Sequence, residues 1–130
     1  MDYFLDAQIV TLDRDEFTLV LGFSSGAADT PSYVLLQKSL NADEQDEALG
    51  MAGVHIQVDS EKRSGYNAVA GIYLRGDLLN ITLRADARPL LRIDGDIQIK
   101  LPQAAPNLSA QLEAFAREIH GEFPFNLSAS

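Results

Sequence analysis

The sequence predicts an α+β fold: a mostly antiparallel sheet of about seven strands, one short acidic helix, and a C-terminal amphipathic helix packed on the sheet. Three observations point there. Val54, Ile56 and Val58 alternate with His55, Gln57 and Asp59, the period-two pattern of a half-buried strand. Gly76-Asp77, a glycine-first pair suited to a two-residue hairpin, lies between two apolar runs. Leu108, Leu112, Phe115 and Ile119 form a stripe at helical spacing.

Taken in order, Phe4–Asp13 and Glu16–Phe23 read as two strands joined by the short polar link Asp13-Arg14-Asp15-Glu16. Pairing Leu12 with Phe17 and Val10 with Leu19 places apolar side chains on one face. Ser24–Ser32, small and turn-forming, is a mobile loop. Tyr33–Gln37 is nearly continuous in apolar residues, as in a strand covered on both faces.

The acidic helix follows over about Asn41–Gly50. Asn41 caps it, Asp43 and Glu44 sit where the helix dipole favours negative charge, and Gly50 closes the end. Ser60–Gly65 reads as a charged turn after the strand at Val54–Val58. Ala68–Arg75 and Leu78–Ala85 form the hairpin on Gly76-Asp77. Closing there sets Leu74 against Leu79, Ile72 against Ile81 and Tyr73 against Asn80, apolar on one face and polar on the other.

Asp86–Gly95 reads as irregular, with Leu90, Leu91 and Ile93 plugging a sheet edge. Ile97, Ile99 and Leu101 alternate with Asp96, Gln98 and Lys100 in a last strand. The C-terminal helix spans about Leu108 to His120, capped by Asn107. Residues 1–130 are expected to form a single domain, its tail at 122–130 partly docked through Phe123 and Phe125 and otherwise frayed.

Charge narrows the partners. The net charge is −9 and is unevenly spread: residues 1–61 hold 12 acids against Arg14 and Lys38, and residues 62–130 hold 7 acids against 8 bases. Such an acidic half repels a phosphate backbone and suits a basic partner, so nucleic acid is not expected. No run approaches the roughly 18 apolar residues of a membrane helix, and the acidic N-terminus is unlike a signal peptide, which points to the cytoplasm. With no cysteine, disulfides, thiolate metal sites and cysteine nucleophiles are excluded.

Catalytic sets are missing. His55 and His120 have no second ligand at metal spacing, and Ser24, Ser25 and Ser64 lack a nucleophile-elbow context. Carboxylates on one helix diverge around its axis, so Asp43, Glu44, Asp46 and Glu47 do not form a calcium loop. No enzyme, cofactor or metal is expected. The four acids make better sense as a presented surface that draws in a basic partner, with Arg63, Tyr66 and Tyr73, residue types enriched at hot spots, adding contact area. The plain alternative for each is an ordinary solvated residue.

The run Tyr33-Val-Leu-Leu-Gln-Lys-Ser-Leu40, with Asp43-Glu-Gln-Asp46, Ala48-Leu-Gly50 and Arg63-Ser-Gly-Tyr66, resembles the Imm10 family of bacterial immunity proteins. The likeness is specific over about residues 33–66 and weaker over the following hairpin and the IDGDIQIKL segment. It implies a cytoplasmic, non-catalytic protein that binds and neutralises a cognate toxin by occlusion, its gene lying beside the toxin gene. Toxin domains of this kind are often nucleases, hence basic. From residues alone two other classes stay open: a small carboxylate-using enzyme or ligand-binding sheet domain, and a structural subunit or chaperone that adds its sheet edge to a partner.

Overall fold

The computed structural model describes residues 2–16, 18–26, 32–39, 54–102, 108–118 and 125–126. Among them are ten strands, nine of four residues or more: β1 (Tyr3–Asp6), β2 (Ile9–Arg14), β3 (Thr18–Ser24), β4 (Tyr33–Ser39), β5 (His55–Val58), β6 (Ser60–Tyr66), β7 (Val69–Arg75), β8 (Leu78–Leu83), β9 (Ile97–Lys100) and the two-residue β10 (Phe125–Asn126). A 3-10 turn at Ala85–Ala87 runs into the one-turn helix α1 (Arg88–Leu91), and α2 spans Leu108–Glu118. The fold is α+β, with more strands than the seven or so expected. The expected acidic helix lies outside the described residues.

The strands form two sheets rather than one. Sheet I has the order β1-β9-β8-β7-β10 and sheet II the order β2-β3-β4-β5-β6. β1 and β10 pair in parallel with β9 and β7, and the other described pairings are antiparallel. Both sheets feed one hydrophobic core, from Leu21, Val34, Leu36 and Ile56 on one side to Ile72, Leu79, Ile81, Ile97 and Ile99 on the other. Leu112 and Phe115 of α2 are buried in the same core, and α2 packs against β2.

The expected strand Phe4–Asp13 divides at Ala7-Gln8. Leu5 and Ala7 point into the core, but so do Val10 and Leu12, so the inward set changes from odd to even positions and the chain must turn. β1 joins sheet I and β2 joins sheet II. The β2–β3 register also differs: Leu12 lies opposite Leu21 and Val10 opposite Phe23. That slip of four residues keeps every side chain on its face, because the period is two. Closure at Asp15 explains it: the Asp15 carboxylate accepts the Thr18 N–H (2.7 Å), and the Asp15 N–H donates to the Thr18 carbonyl (3.1 Å).

Three further segments depart from expectation. β4 is not covered on both faces: Val34 and Leu36 are buried, while Tyr33, Leu35 and Gln37 are half-buried. Ser60–Gly65 belongs to an edge strand, β6, not a turn. Gln57 pairs with Ser64 and Val58 with Ser60, so Glu61-Lys62-Arg63 form a bulge off the ladder, and an edge position tolerates their polarity. Asp86–Gly95 contains α1, begun by Pro89 in its first turn and ended by Arg92 in left-handed conformation. Leu91 and Ile93 are buried, but Leu90 is exposed, since neighbours on a helix point about 100° apart.

The Gly76-Asp77 hairpin has the register read from sequence, with Leu74 opposite Leu79, Ile72 opposite Ile81 and Tyr73 opposite Asn80. Gly76 has φ 64°, a conformation glycine enters without steric cost.

Candidate surface site

Four of the sequence-nominated residues, Asp43, Glu44, Asp46 and Glu47, lie outside the described residues. The described residues stop at Ser39 of β4 and resume at Val54, and there Gln37 pairs with His55 and His55 with Tyr66. The other three, Arg63, Tyr66 and Tyr73, fall in three different settings.

Arg63 faces inward. Its Nε donates to the Leu91 carbonyl at the end of α1 (2.8 Å), its guanidinium pairs with the Asp59 carboxylate (3.3 Å), and it lies 5.8 Å from the Tyr3 ring centroid. The arginine thus satisfies a helix-terminal carbonyl, neutralises a partly buried acid and stacks on an aromatic face. Asp59 is the hub of this cluster. Its Oδ1 accepts hydrogen bonds from the Tyr3 hydroxyl and the Tyr33 N–H, both at 2.8 Å. Its φ is 64°, a left-handed setting that aspartate enters more readily than most residues. Burial, the hydrogen bond to Asp59 and that carboxylate's charge push the Tyr3 hydroxyl well above its ordinary pKa, against smaller effects of Ser32 and Arg63.

Tyr66 ends β6 and is exposed. Its ring lies 4.8 Å from the His55 ring at 59°, a tilted packing that fixes the tyrosine on its strand. Burial pushes the His55 pKa down, and its buried Nδ1 has no hydrogen-bond partner among the described residues.

Beside Tyr66 opens a pocket of about 330 Å³ lined by Tyr66, Asn67, Arg84, Asp86, Ala87 and Leu90. Arg84 and Asp86 form an exposed ion pair at 3.6 Å. Leu90 roofs the edge strand: a Cβ added to Gly65 would lie 3.4 Å from its Cδ1. Leu90, which the sequence places with Leu91 and Ile93 as a plug of the sheet edge, instead stands exposed over it. The missed signal is Leu90-Leu91 directly after a helix-starting proline, where only one of the two leucines can face the sheet.

Tyr73 lies on the outer face of sheet I. Its ring folds over Gly71, where a Cβ would meet the hydroxyl oxygen at 2.7 Å. The same row continues through Asn80 and Gln98 to Phe4, an exposed aromatic that sequence reading passed over because Phe4 sat inside an assumed continuous strand.

Among the described residues, no three histidine, aspartate or glutamate side chains converge as a metal site. No described helix is long and apolar enough to cross a membrane.

A comparison with family models matches residues 6–109 to Immunity protein 10, a wider span than the 33–66 stretch that carries the likeness by eye. No curated protein and no solved structure matches the chain. With most of its length matched, the chain belongs to the Imm10 family of immunity proteins.

Proposed function

We propose that this protein binds a cognate toxin domain and neutralises it by occlusion, without chemistry of its own. The family match over residues 6–109 carries this reading. The uneven charge supports a basic partner, since residues 1–61 hold 12 acids against two bases and would raise the rate of encounter with a positive surface. In this reading Asp43, Glu44, Asp46 and Glu47 steer the toxin, and Tyr66 and Tyr73 supply aromatic contact. Arg63 contributes by holding β6 and α1 in place, because its guanidinium is already committed to Asp59 and Leu91.

The test is co-expression with the toxin domain encoded beside it, in the cytoplasm of a bacterial host, scored for a one-to-one complex and for rescued growth. Rescue with complex formation is expected. A toxic neighbour that is neither bound nor neutralised would overturn the reading. Reversing the four acids together is expected to weaken binding and flatten its salt dependence while the fold survives.

A further inference from the structure

One row crosses the outer face of sheet II from edge to edge: Asp13 of β2 lies opposite Val20, Val20 opposite Gln37, Gln37 opposite His55 and His55 opposite Tyr66. The row holds one acid and no base. Arg14 and Lys38 both lie opposite Leu19, whose side chain is in the core, so strand alternation assigns them to the other face. Lys62 belongs to the bulge beyond Ser64, off the row, and Arg84 on the far side of Tyr66 is matched by Asp86 at 3.6 Å.

On this row opens a second pocket, of about 190 Å³, lined by Thr18, Gln37, Ser39, His55 and Tyr66. Small-molecule sites run to roughly 300–1,000 Å³, so this one suits a single side chain. Every lining residue has a polar tip, and none of the five side chains has a hydrogen-bond partner among the described residues. Elsewhere on the same face the Gln57 amide donates to the Tyr33 hydroxyl at 2.7 Å, so the unspent groups are particular to the pocket. The imidazole brings no positive charge: its Nδ1 is buried without a partner, where an added proton would go unsatisfied, and burial pushes its pKa down.

We infer that this pocket receives an arginine or lysine side chain of the toxin domain. The inference rests on the toxin-binding reading and deepens it by naming the chemistry at one contact. An apolar guest would take five polar groups out of water and give them nothing to bond. An anion would find no positive group on the row, and would face Asp13 two strands from Gln37, at roughly 10 Å. A cation is all donor, and it meets the hydroxyls of Thr18 and Ser39, the Gln37 carbonyl and the face of the Tyr66 ring. Asp13 gives the site its sign, together with Asp15, whose carboxylate accepts the Thr18 N–H at 2.7 Å on the pocket wall.

The experiment measures affinity for the catalytically inactivated toxin domain encoded beside this protein, with Gln37→Glu and Gln37→Lys, each checked for an unchanged melting curve. Ala110→Lys, on the exposed side of α2, repeats the charge change of Gln37→Lys away from the pocket and is the control. Gln37→Lys is expected to weaken binding about tenfold or more, Gln37→Glu to tighten it about threefold, and the control to change Kd less than about twofold. If the Gln37 variants loosen the fold, Ser39→Asp and Ser39→Lys decide, with the same signs expected. Wild-type affinity in both variants of a pair overturns the pocket. Weakening by both overturns the cation in favour of a neutral guest, and tightening by the lysine variant overturns it in favour of an anion. No complex with the wild-type protein removes the toxin-binding reading itself, and this inference with it.

Discussion

The Tyr3 hydroxyl donates a 2.8 Å hydrogen bond to Asp59 Oδ1, tying the first strand of sheet I to the turn before the edge strand of sheet II. Removing that hydroxyl leaves Asp59 with the Tyr33 N–H and Arg63, so the carboxylate is not orphaned. Tyr3→Phe is therefore expected to cost about 1 kcal/mol, read as a lower urea midpoint with unchanged slope. Arg63→Ala is expected to cost more, about 2 kcal/mol, because it frees both the Leu91 carbonyl and the Asp59 charge.

The same pair sets an alkaline limit. The folded chain holds Tyr3 protonated above the usual 10.0, while the unfolded chain ionises at that value. The stabilisation is fully present below pH 10.0 and declines as pH rises above it. Tyr3→Phe is expected to flatten that alkaline decline in a series of denaturation curves, and an unchanged slope would contradict it.

His55 sets the acid side with the opposite sign. Folding disfavours its protonated form, so its contribution is complete above the usual 6.5 and is lost as pH falls below that value. His55→Gln is expected to remove stability loss in this acid window while leaving the melting temperature near neutrality within a few degrees.

Ile81 is fully buried between Ile72 and Ile97 at the centre of sheet I. Ile81→Ala is expected to cost about 2–5 kcal/mol by deleting packed methyl groups and leaving a cavity. Equilibrium unfolding checks this, and a loss under about 1 kcal/mol would mean the core collapses around the gap.

Gly76 gives the contrasting case. Nothing lies within 4 Å of an added Cβ, so Gly76→Ala suffers only from its left-handed backbone. The expected cost is about 1 kcal/mol, and Gly76→Asn should recover part of it.

What sequence could show follows from how local each determinant is. The β7–β8 register was legible because a two-residue turn and the alternation of Ile72, Leu74, Leu79 and Ile81 specify it within a dozen residues. Leu112 and Phe115 were legible as the buried face of α2 by the same locality. Sheet I also needs Tyr3 beside Ile97, a parallel pairing between distant segments that no local pattern encodes. β6 was hidden by its polarity, since an edge strand bulged at Glu61-Lys62-Arg63 carries turn-like residues. At the surface, residue type nominated Arg63, but its role depends on Asp59 and Leu91, which only the fold brings to it. Tyr66, nominated by residue type as a contact, is exposed, and its neighbour Leu90 becomes visible only once α1 is known to be a helix.

The pairing of Tyr3 with Ile97 also governs timing. A ribosome adding about 5–20 residues per second finishes the first strand well before its partner exists. For those seconds Tyr3–Asp6 has no β9 beside it, and Asp59, once made, cannot complete sheet I from its own side. Sheet I therefore closes only once β9 has been made, so the fold completes late in synthesis rather than from the N-terminus onward.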